Sequence, residues 1–247
     1  MMKLFEKNIK DWIIKTYPFN KLYFILKIIK KSKKRYYYAD NGEDVIIRSL
    51  FNHKKNGFYV DVGCYHPIKA SLTYMLHKKG WYGLNIDISK DSINLFKIAR
   101  PKDTNLNIGI SNKKGEDYYY QLGHINQANS FKVYENAKKI KVEISTLDEV
   151  IKKLKIKKID FLNIDAEYKD LEALQGISLE SVRPTLITIE DADRYDMANV
   201  IISDVYKYLI SKNYFLFSRT VCTSFYLDKK YKDNLDEILN TRTKKSL

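Results

Sequence analysis

Between residues 41 and 228 the sequence alternates short apolar runs with amphipathic stretches, and this alternation limits the fold more than any other feature. Five of the runs predict buried strands, and the stretches between them carry apolar residues at helical spacing. Strands that are apolar along their whole length and alternate with helices are typical of a parallel sheet covered on both faces. The predicted strands are 58–62, 83–88, 105–110, 159–165 and 185–190.

Helices and late strands complete this pattern. Helices are predicted at 71–79, 92–99, 147–154, 171–175 and 200–211, with Thr146 as the N-cap of the third. The runs 118–121 and 142–145 predict either added strands or a hairpin-like insertion, and the runs 214–218 and 223–227 are close enough to pair as a hairpin. We therefore expect one α/β domain over residues 38–228.

The distribution of charge argues against a nucleic-acid-binding protein. The chain has 247 residues and a net charge of +14, but the first 40 residues alone hold 11 basic and 3 acidic side chains. Nucleic-acid binding usually needs a basic face rather than basic flanks, so no specific nucleic-acid partner is expected. Two cysteines exclude a disulfide framework and a multi-cysteine zinc site, and a cytoplasmic location is expected.

Residues 1–37 predict a basic, amphipathic helical extension, and residues 229–247 predict a basic tail. Pro18 divides the extension into two helices, and its longest nearly apolar piece, 22–29, is too short for a membrane span. Two interpretations stay open. The extension either packs on the domain or on a second copy of the chain, or it lies on the inner membrane surface as a peripheral anchor.

Four of the five predicted strands end in or near an acidic residue. In open parallel sheets ligands bind beyond the carboxyl ends of the strands, which places Asp61, Asp87, Asp165 and Glu190 at one edge. A turn at Gly63 lets backbone amides approach a ligand closely, and Asp87 is placed to accept both hydroxyl protons of a ribose. The glycine motifs of dinucleotide and P-loop sites are absent. The pattern therefore favours an adenosine-like ligand with few phosphate contacts.

Several motifs, in this order, resemble the FkbM-type S-adenosylmethionine-dependent methyltransferases. They are Asn41-Gly42-Glu43-Asp44, Val60-Asp61-Val62-Gly63, His66-Pro67, Trp81-Tyr82-Gly83, Thr146-Leu147-Asp148-Glu149, Ile164-Asp165-Ala166-Glu167 and Arg183-Pro184. The resemblance covers roughly residues 38–228. It implies a Rossmann-like class I methyltransferase fold, with seven strands of which the last is inserted antiparallel. It also implies S-adenosylmethionine as methyl donor and a hydroxyl acceptor, often on a sugar.

The resemblance implies a cofactor site on four segments of the chain. By it, Gly63 with Cys64 and Tyr65 would face the methionine part, and Asp61 would orient that loop or contact the methionine amine. The ribose would lie against Asp87.

The rest of the implied cofactor site lies on either side of these residues. Ile88, next to Asp87, would also contact the cofactor, and Glu43 would reach it from the N-terminal part of the domain. Asn107 and Ile108 would lie near the adenine. By the same resemblance Asp165 and Glu167 would lie where donor and acceptor meet.

A hydroxyl acceptor needs a general base or a bound cation to remove its proton. The candidate bases are His66, Asp165, Glu167 and Glu190. His66, directly before Pro67, is equally consistent with a structural turn. A divalent cation, Mg²⁺ or Mn²⁺, would suit Asp165, Glu190 and Asp191 with His66 nearby, although no spacing in the sequence establishes a metal site. Cys64 is expected to be a small buried turn residue rather than a nucleophile.

The resulting prediction is an O-methyltransferase that acts on the hydroxyl of a nucleotide-linked sugar or of a surface polysaccharide. Two bulky residues, Tyr65 and Tyr168, stand where the family commonly has small ones, so the acceptor of other members does not transfer. Three alternatives stay open: a methyltransferase for another small molecule, a nucleic-acid methyltransferase, and a non-catalytic adenosine-binding scaffold. An NAD-dependent oxidoreductase is disfavoured by the missing glycines, and a homo-oligomer is held open.

Overall fold

The computed structural model describes residues 37–122, 129–133, 135–190 and 196–233, together with the single positions 12, 16, 19, 22 and 235. The chain divides into two units, 1–36 and 37–247. The two predicted N-terminal helices and the basic C-terminal tail lie mostly outside the described residues. In the part that is described, no helix is both long enough and apolar enough to cross a bilayer.

The second unit alternates strands and helices along the chain. In order they are α1 (Glu43–Leu50), β1 (Phe58–Val62), α2 (Tyr74–Lys78), β2 (Tyr82–Ile86), α3 (Lys90–Ala99), β3 (Thr104–Leu106), β4 (Gly109–Ile110), β5 (Gly115–Gln121), β6 (Lys138–Ser145), α4 (Leu147–Leu154), β7 (Phe161–Ile164), α5 (Asp170–Gln175), β8 (Leu186–Glu190), α6 (Met197–Ile201), α7 (Asp204–Ser211), β9 (Tyr214–Arg219) and β10 (Thr223–Asp228), followed by a 3₁₀ turn (Lys229–Tyr231).

The main sheet has seven strands in the order β3-β2-β1-β7-β8-β10-β9. The first five of these run parallel, and β10 pairs antiparallel with both β8 and β9. The late hairpin predicted from the sequence is therefore confirmed, and the last strand is the antiparallel one.

Both faces of this sheet are covered. Consecutive residues of β1 face opposite sides of the sheet, and Tyr59 and Val60 accordingly belong to two different apolar clusters. The cluster with Tyr59 contains Ile47 of α1, and the cluster with Val60 contains Leu174 of α5 and Leu209 of α7. This burial explains why most residues of the central strands are apolar.

The predicted third strand is divided between two sheets. β3 lies at the edge of the main sheet, whereas β4 joins β6 and β5 in a separate three-stranded sheet. Asn107 lies between them, and its side-chain amide donates to the backbone oxygens of Asp87 and Ile88 at 2.9 and 2.8 Å. The uncertain runs around 118–121 and 142–145 are thus the antiparallel pair of an inserted small sheet.

Helix boundaries follow the capping residues. α4 has the predicted bounds, and the Thr146 side chain accepts from the backbone amide of Glu149, as expected of an N-cap. The predicted helix 200–211 is instead two helices, because Ser203 caps a new helix by accepting from the amide of Tyr206. The predicted helix 71–79 begins only at Tyr74, and Ser71 and Thr73 make side-chain hydrogen bonds instead.

Candidate active site at the carboxyl edge of the sheet

The residues that follow the parallel strands stand side by side. The register pairs Val62 with Ile86 and Ile164, so the next residue of each strand falls in one row beyond the sheet. The row is Asn107, Asp87, Gly63, Asp165 and Glu190. Parallel pairing alone thus brings together five of the residues that the sequence analysis had placed on separate strands.

A buried polar row lies two residues before this edge. Asp61 pairs in register with Asn85 on one side and with Asn163 on the other. Its carboxylate accepts from the Asn163 amide at 2.9 Å and from the Thr73 hydroxyl at 2.8 Å, and Asn163 in turn accepts from the Thr188 hydroxyl at 2.7 Å. Burial raises the pKa of Asp61, an effect that these hydrogen bonds oppose. The row fixes the ends of the central strands relative to one another.

Gly63 is required at the end of β1 by two independent constraints. Its φ of 77° lies in the left-handed region, and a Cβ placed there would lie 1.7 Å from the backbone oxygen of Asp165. Its amide donates to the backbone oxygen of Ile86 at 2.9 Å. The absence of a side chain therefore allows β1 and β7 to close on each other at the point where the cleft begins.

Asp87 is held by the backbone on both sides of the turn. Its carboxylate accepts from the amides of Tyr65 and Ser89 at 2.9 and 2.7 Å. Burial raises the pKa of Asp87 to about 6, with Asp61 adding to the effect and the two amides opposing it. A carboxylate that is oriented in this way has lone pairs left for two hydroxyl groups of a ligand.

Two neighbours of Gly63 have structural functions here. Tyr65 takes a φ of 50°, which directs its amide to Asp87. Cys64 is buried, and burial together with the charges of Asp87 and Asp61 raises the pKa of its thiol well above the ordinary value. A thiol in that state is a poor nucleophile, which agrees with the expectation of an inert turn residue.

Three carboxylates gather at the other end of the row. Asp165, Glu167 and Glu190 each offer an oxygen within 4.8 Å of the others. Burial raises the pKa of Asp165 well above its ordinary value, and Glu190 adds to this by its charge and by a hydrogen bond. The Oδ1 atom of Asp165 is buried, and no residue in the described ranges forms a hydrogen bond with it. Such an atom is suited to meet a proton donor or a cation of a ligand.

The backbone is strained beside these acids. Glu167 and Tyr168 have φ values of 48° and 77°, so two successive residues with side chains adopt the left-handed region. Each costs about 1–2 kcal/mol relative to a right-handed conformation, and such strain is concentrated at functional sites.

One cleft joins the two ends of the row. It encloses about 970 Å³ of empty space, counting the solvent at its open mouth. Ten residues from the sequence analysis line it: Asp61, Gly63, Cys64, Tyr65, Asp87, Ile88, Ile108, Asp165, Glu167 and Glu190. The lining further includes Ser71, Asn129 and Phe131, which were not among the predicted site residues.

Three predicted residues do not line the cleft. The Nδ1 atom of His66 accepts from the amides of Ile68 and Lys69 at 3.1 and 3.0 Å, and burial lowers its pKa, as in a structural turn. Glu43 is buried, and its carboxylate accepts from the amide of Asn41 and from the hydroxyl of Thr220. Asn107 supports the cleft from behind by the backbone contacts described above. Asp191 lies outside the described residues.

The sequence analysis missed Arg100, whose buried guanidinium holds the connection that carries Ser71, one of the residues that line the cleft. Its guanidinium is buried and donates to the backbone oxygen of Pro67 and to the hydroxyls of Ser71 and Thr73, the last two at 2.9 and 2.8 Å. It also donates to Tyr59, whose hydroxyl donates to Asp103 at 2.6 Å. An arginine at the end of an amphipathic helix carries no sequence signal for this function, because exposed arginines are common there.

Comparison with known families agrees with this geometry. The model of the Methyltransferase FkbM domain matches residues 61–216, which begin in β1 and end in β9. No curated protein and no solved structure gives a significant match to the chain. The family match covers more than half of the chain and contains the whole row of strand ends, and the chain therefore belongs to the FkbM methyltransferase domain family.

Proposed function

We propose that this methyltransferase transfers a methyl group from S-adenosylmethionine to a hydroxyl oxygen of a sugar. The observation that carries the proposal is the single cleft, which joins an adenosine-type half at Asp87 and Gly63 to an acidic half at Asp165 and Glu190. The cofactor supplies a methyl group already activated on a sulfonium. The protein therefore has to hold the two reactants in line and to manage the acceptor's proton.

The first half of the cleft fits the cofactor. Asp87 would accept the ribose hydroxyls, because its two oxygens are fixed by backbone amides and face the cleft. Gly63 leaves room for the methionine part, since any side chain there would meet β7. Ile88 and Ile108 supply apolar surface on the side where the adenine is expected.

The second half of the cleft contains carboxylates that can accept the proton of the acceptor hydroxyl. The acceptor hydroxyl becomes nucleophilic as its proton passes to a carboxylate, and a carboxylate with a raised pKa is a stronger base. Asp165 is such a group, because burial of its carboxyl group and the charge of Glu190 both raise its pKa. We assign the general base to the Asp165–Glu190 pair and not to His66, whose Nδ1 is occupied by two turn amides.

The same acids carry a second candidate mechanism. Asp165, Glu167 and Glu190 present three oxygens close together, and among the described residues none forms a hydrogen bond with the buried Oδ1 of Asp165. Oxygen donors of this kind suit Mg²⁺ or Mn²⁺. A cation held there would bind the acceptor oxygen and lower the pKa of its hydroxyl, so the carboxylates would act as ligands instead of a base.

Polar groups and an aromatic ring support a sugar as the acceptor. Asn129 and Phe131 reach the cleft from the small sheet side, and Glu167 faces it from the loop after β7. Lys132, the residue after Phe131, contacts Tyr168, the residue after Glu167. The Lys132 ammonium lies 5.0 Å from the centre of the exposed Tyr168 ring. Sugars bind to proteins by hydrogen bonds and by packing on aromatic faces, and a polar rim with one ring meets both needs.

Calorimetric titration with S-adenosylmethionine tests the cofactor half. Wild type is expected to bind with micromolar affinity, and Asp87→Ala is expected to bind at least about tenfold more weakly, since a lost charged hydrogen bond costs about 1.5–3 kcal/mol. Asp204→Ala, which removes an exposed acid on α7, serves as the matched control. Folded wild type that binds no cofactor would contradict the proposal.

Methyl transfer to a panel of nucleotide sugars and polysaccharide fragments tests the acceptor half. Asp165→Asn is expected to lower kcat much more than the affinity for the cofactor. Activity that a chelator leaves unchanged supports the general base, and activity that is lost with the chelator and restored by Mn²⁺ supports the metal. A panel in which only non-sugar acceptors react would refute the choice of acceptor while leaving the transferase intact.

A further inference from the structure

A second pocket lies at the opposite, amino edge of the main sheet. It is formed where β1, β2 and β3 begin and where the chain enters β7, and it encloses about 1310 Å³ of empty space including open solvent. Ligands of open α/β sheets usually bind at the carboxyl edge, so this pocket is separate from the methyl-transfer cleft. Nothing in the proposed reaction uses it.

Lysines dominate the lining of this pocket. Lys54, Lys102, Lys155, Lys157 and Lys158 converge on it from three different connections of the chain, and the lining contains a single acid, Asp160. Lysine ammonium groups act as point charges for phosphate groups, and lysines drawn from several connections surround an anion better than a run on one helix does.

Asp160 does not neutralise the pocket. The acid is buried and ties β7 to β1, because its Oδ2 accepts from the amide of Phe58 at 3.0 Å. Its other oxygen pairs with Lys54 and, at 3.4 Å, with Lys158. Within the described ranges no acidic side chain forms an ion pair with Lys102, Lys155 or Lys157, and all three are exposed.

Apolar and aromatic side chains also line this pocket. The ring of Tyr82 is 56% exposed and packs edge-on against Phe58, with 5.4 Å between the ring centres. Ile156 lies on the same lining. An exposed tyrosine next to lysines offers a face for a planar ring and charges for the anion attached to it.

We propose that this amino-edge pocket binds a soluble ligand that carries a diphosphate on a planar ring, such as a nucleoside diphosphate. The diphosphate would contact Lys102, Lys155 and Lys157, and the ring would pack on Tyr82. A membrane surface is disfavoured because the lysines surround a concave pocket, whereas a flat bilayer needs a flat or convex face.

Calorimetric titration with inorganic pyrophosphate and with uridine diphosphate tests the proposal on the full chain. Both titrations are run with S-adenosylhomocysteine present, to keep the probes out of the cofactor half of the cleft. Uridine diphosphate is expected to bind at least about fivefold more tightly than pyrophosphate, because base stacking contributes about 1–3 kcal/mol. Tyr82→Ala should abolish that difference, and added salt should weaken both ligands.

We expect affinity for both probes to fall by about tenfold or more in the triple variant Lys102→Gln, Lys155→Gln, Lys157→Gln. The reason is that three exposed ion pairs are lost, each of which contributes about 0.2–1 kcal/mol. The control triple Lys138→Gln, Lys207→Gln, Lys232→Gln has the same net charge and should bind as wild type does. Equal binding by the two triples, or no binding by wild type, would overturn the proposal.

Two further measurements are needed. The first distinguishes a membrane headgroup from a soluble ligand as the source of the phosphate, and the second distinguishes failure of this proposal from failure of the methyltransferase proposal. Flotation of wild type with phosphatidylglycerol vesicles, without binding of either soluble probe, would identify a membrane contact and overturn the soluble ligand. Affinity for S-adenosylmethionine should be the same in both triples, so failure of this pocket is distinguishable from failure of the methyltransferase proposal.

Discussion

Gly63→Ala should disable the cleft far more than it destabilises the fold. The new Cβ would lie 1.7 Å from the backbone oxygen of Asp165, whereas real Cβ contacts essentially never fall under 3.0 Å. Relief of the clash requires a shift of about 1.3 Å between β1 and β7, and a misplacement of about 1 Å costs on the order of 10²-fold in rate. We expect that loss in kcat/KM, together with weaker binding of S-adenosylmethionine.

Gly42→Ala is the matched control for this prediction. Gly42 has a φ of 78°, against 77° for Gly63, but a Cβ placed on it would meet nothing within 4 Å. Both variants bear the conformational cost of about 1–2 kcal/mol for a left-handed alanine, and only Gly63→Ala bears the clash. Urea unfolding, calorimetry and the methyl-transfer rate are measured on both. The reasoning is refuted when the two variants lose the same stability and Gly63→Ala keeps wild-type activity.

Three further predictions concern buried groups. Because ribose hydroxyls need an ionised acceptor and the pKa of Asp87 is about 6, cofactor affinity should fall by up to about tenfold per pH unit below that value in calorimetry, and Asp87→Asn should remove the pH dependence. Arg100→Met should lower the free energy of unfolding, measured in urea, by about 3–5 kcal/mol, because the buried hydroxyls and the acids connected to them lose their cation. The control Lys97→Met, on the exposed face of α3, should change this free energy little. In thiol titration of the native protein the half-buried Cys222 should react while Cys64 does not, and two thiols should react after unfolding.

The sequence predicted the ends of β1, β7 and β8 to within one residue, whereas the predicted ends of the second and third strands lay two and four residues too late. The strands are mostly apolar because both faces are buried, and the last polar residue of a run, such as Asp165 after Ile164, marks the point where the chain leaves the sheet. The buried polar row at Asp61, Asn85 and Asn163 is the exception inside the strands. Parallel register then places those ends in one row without further information. The N-cap Thr146 was predictable for a similar reason, since its hydrogen bond is local in the chain.

The contacts of two other polar side chains were not predictable in this way. The boundary between β3 and β4 is determined by the Asn107 side chain, which binds the backbone of the neighbouring connection. His66 matched the chemistry of a general base, but its ring accepts from two amides of its own turn. In both cases the residue type was informative, but the sequence did not show which backbone groups the side chain binds.

Arg100 shows how the fold couples these local features to the cofactor half of the cleft. Its charge is buried and, among the described residues, forms no ion pair with a carboxylate. Instead the hydroxyls of Thr73 and Tyr59 connect it to Asp61 and Asp103. A buried cation is tolerated only when its donors are satisfied, and here the donors hold the connection after β1 against the sheet. That connection carries Ser71, which lines the cleft, so the stability of the buried network and the shape of the cofactor site depend on the same hydrogen bonds.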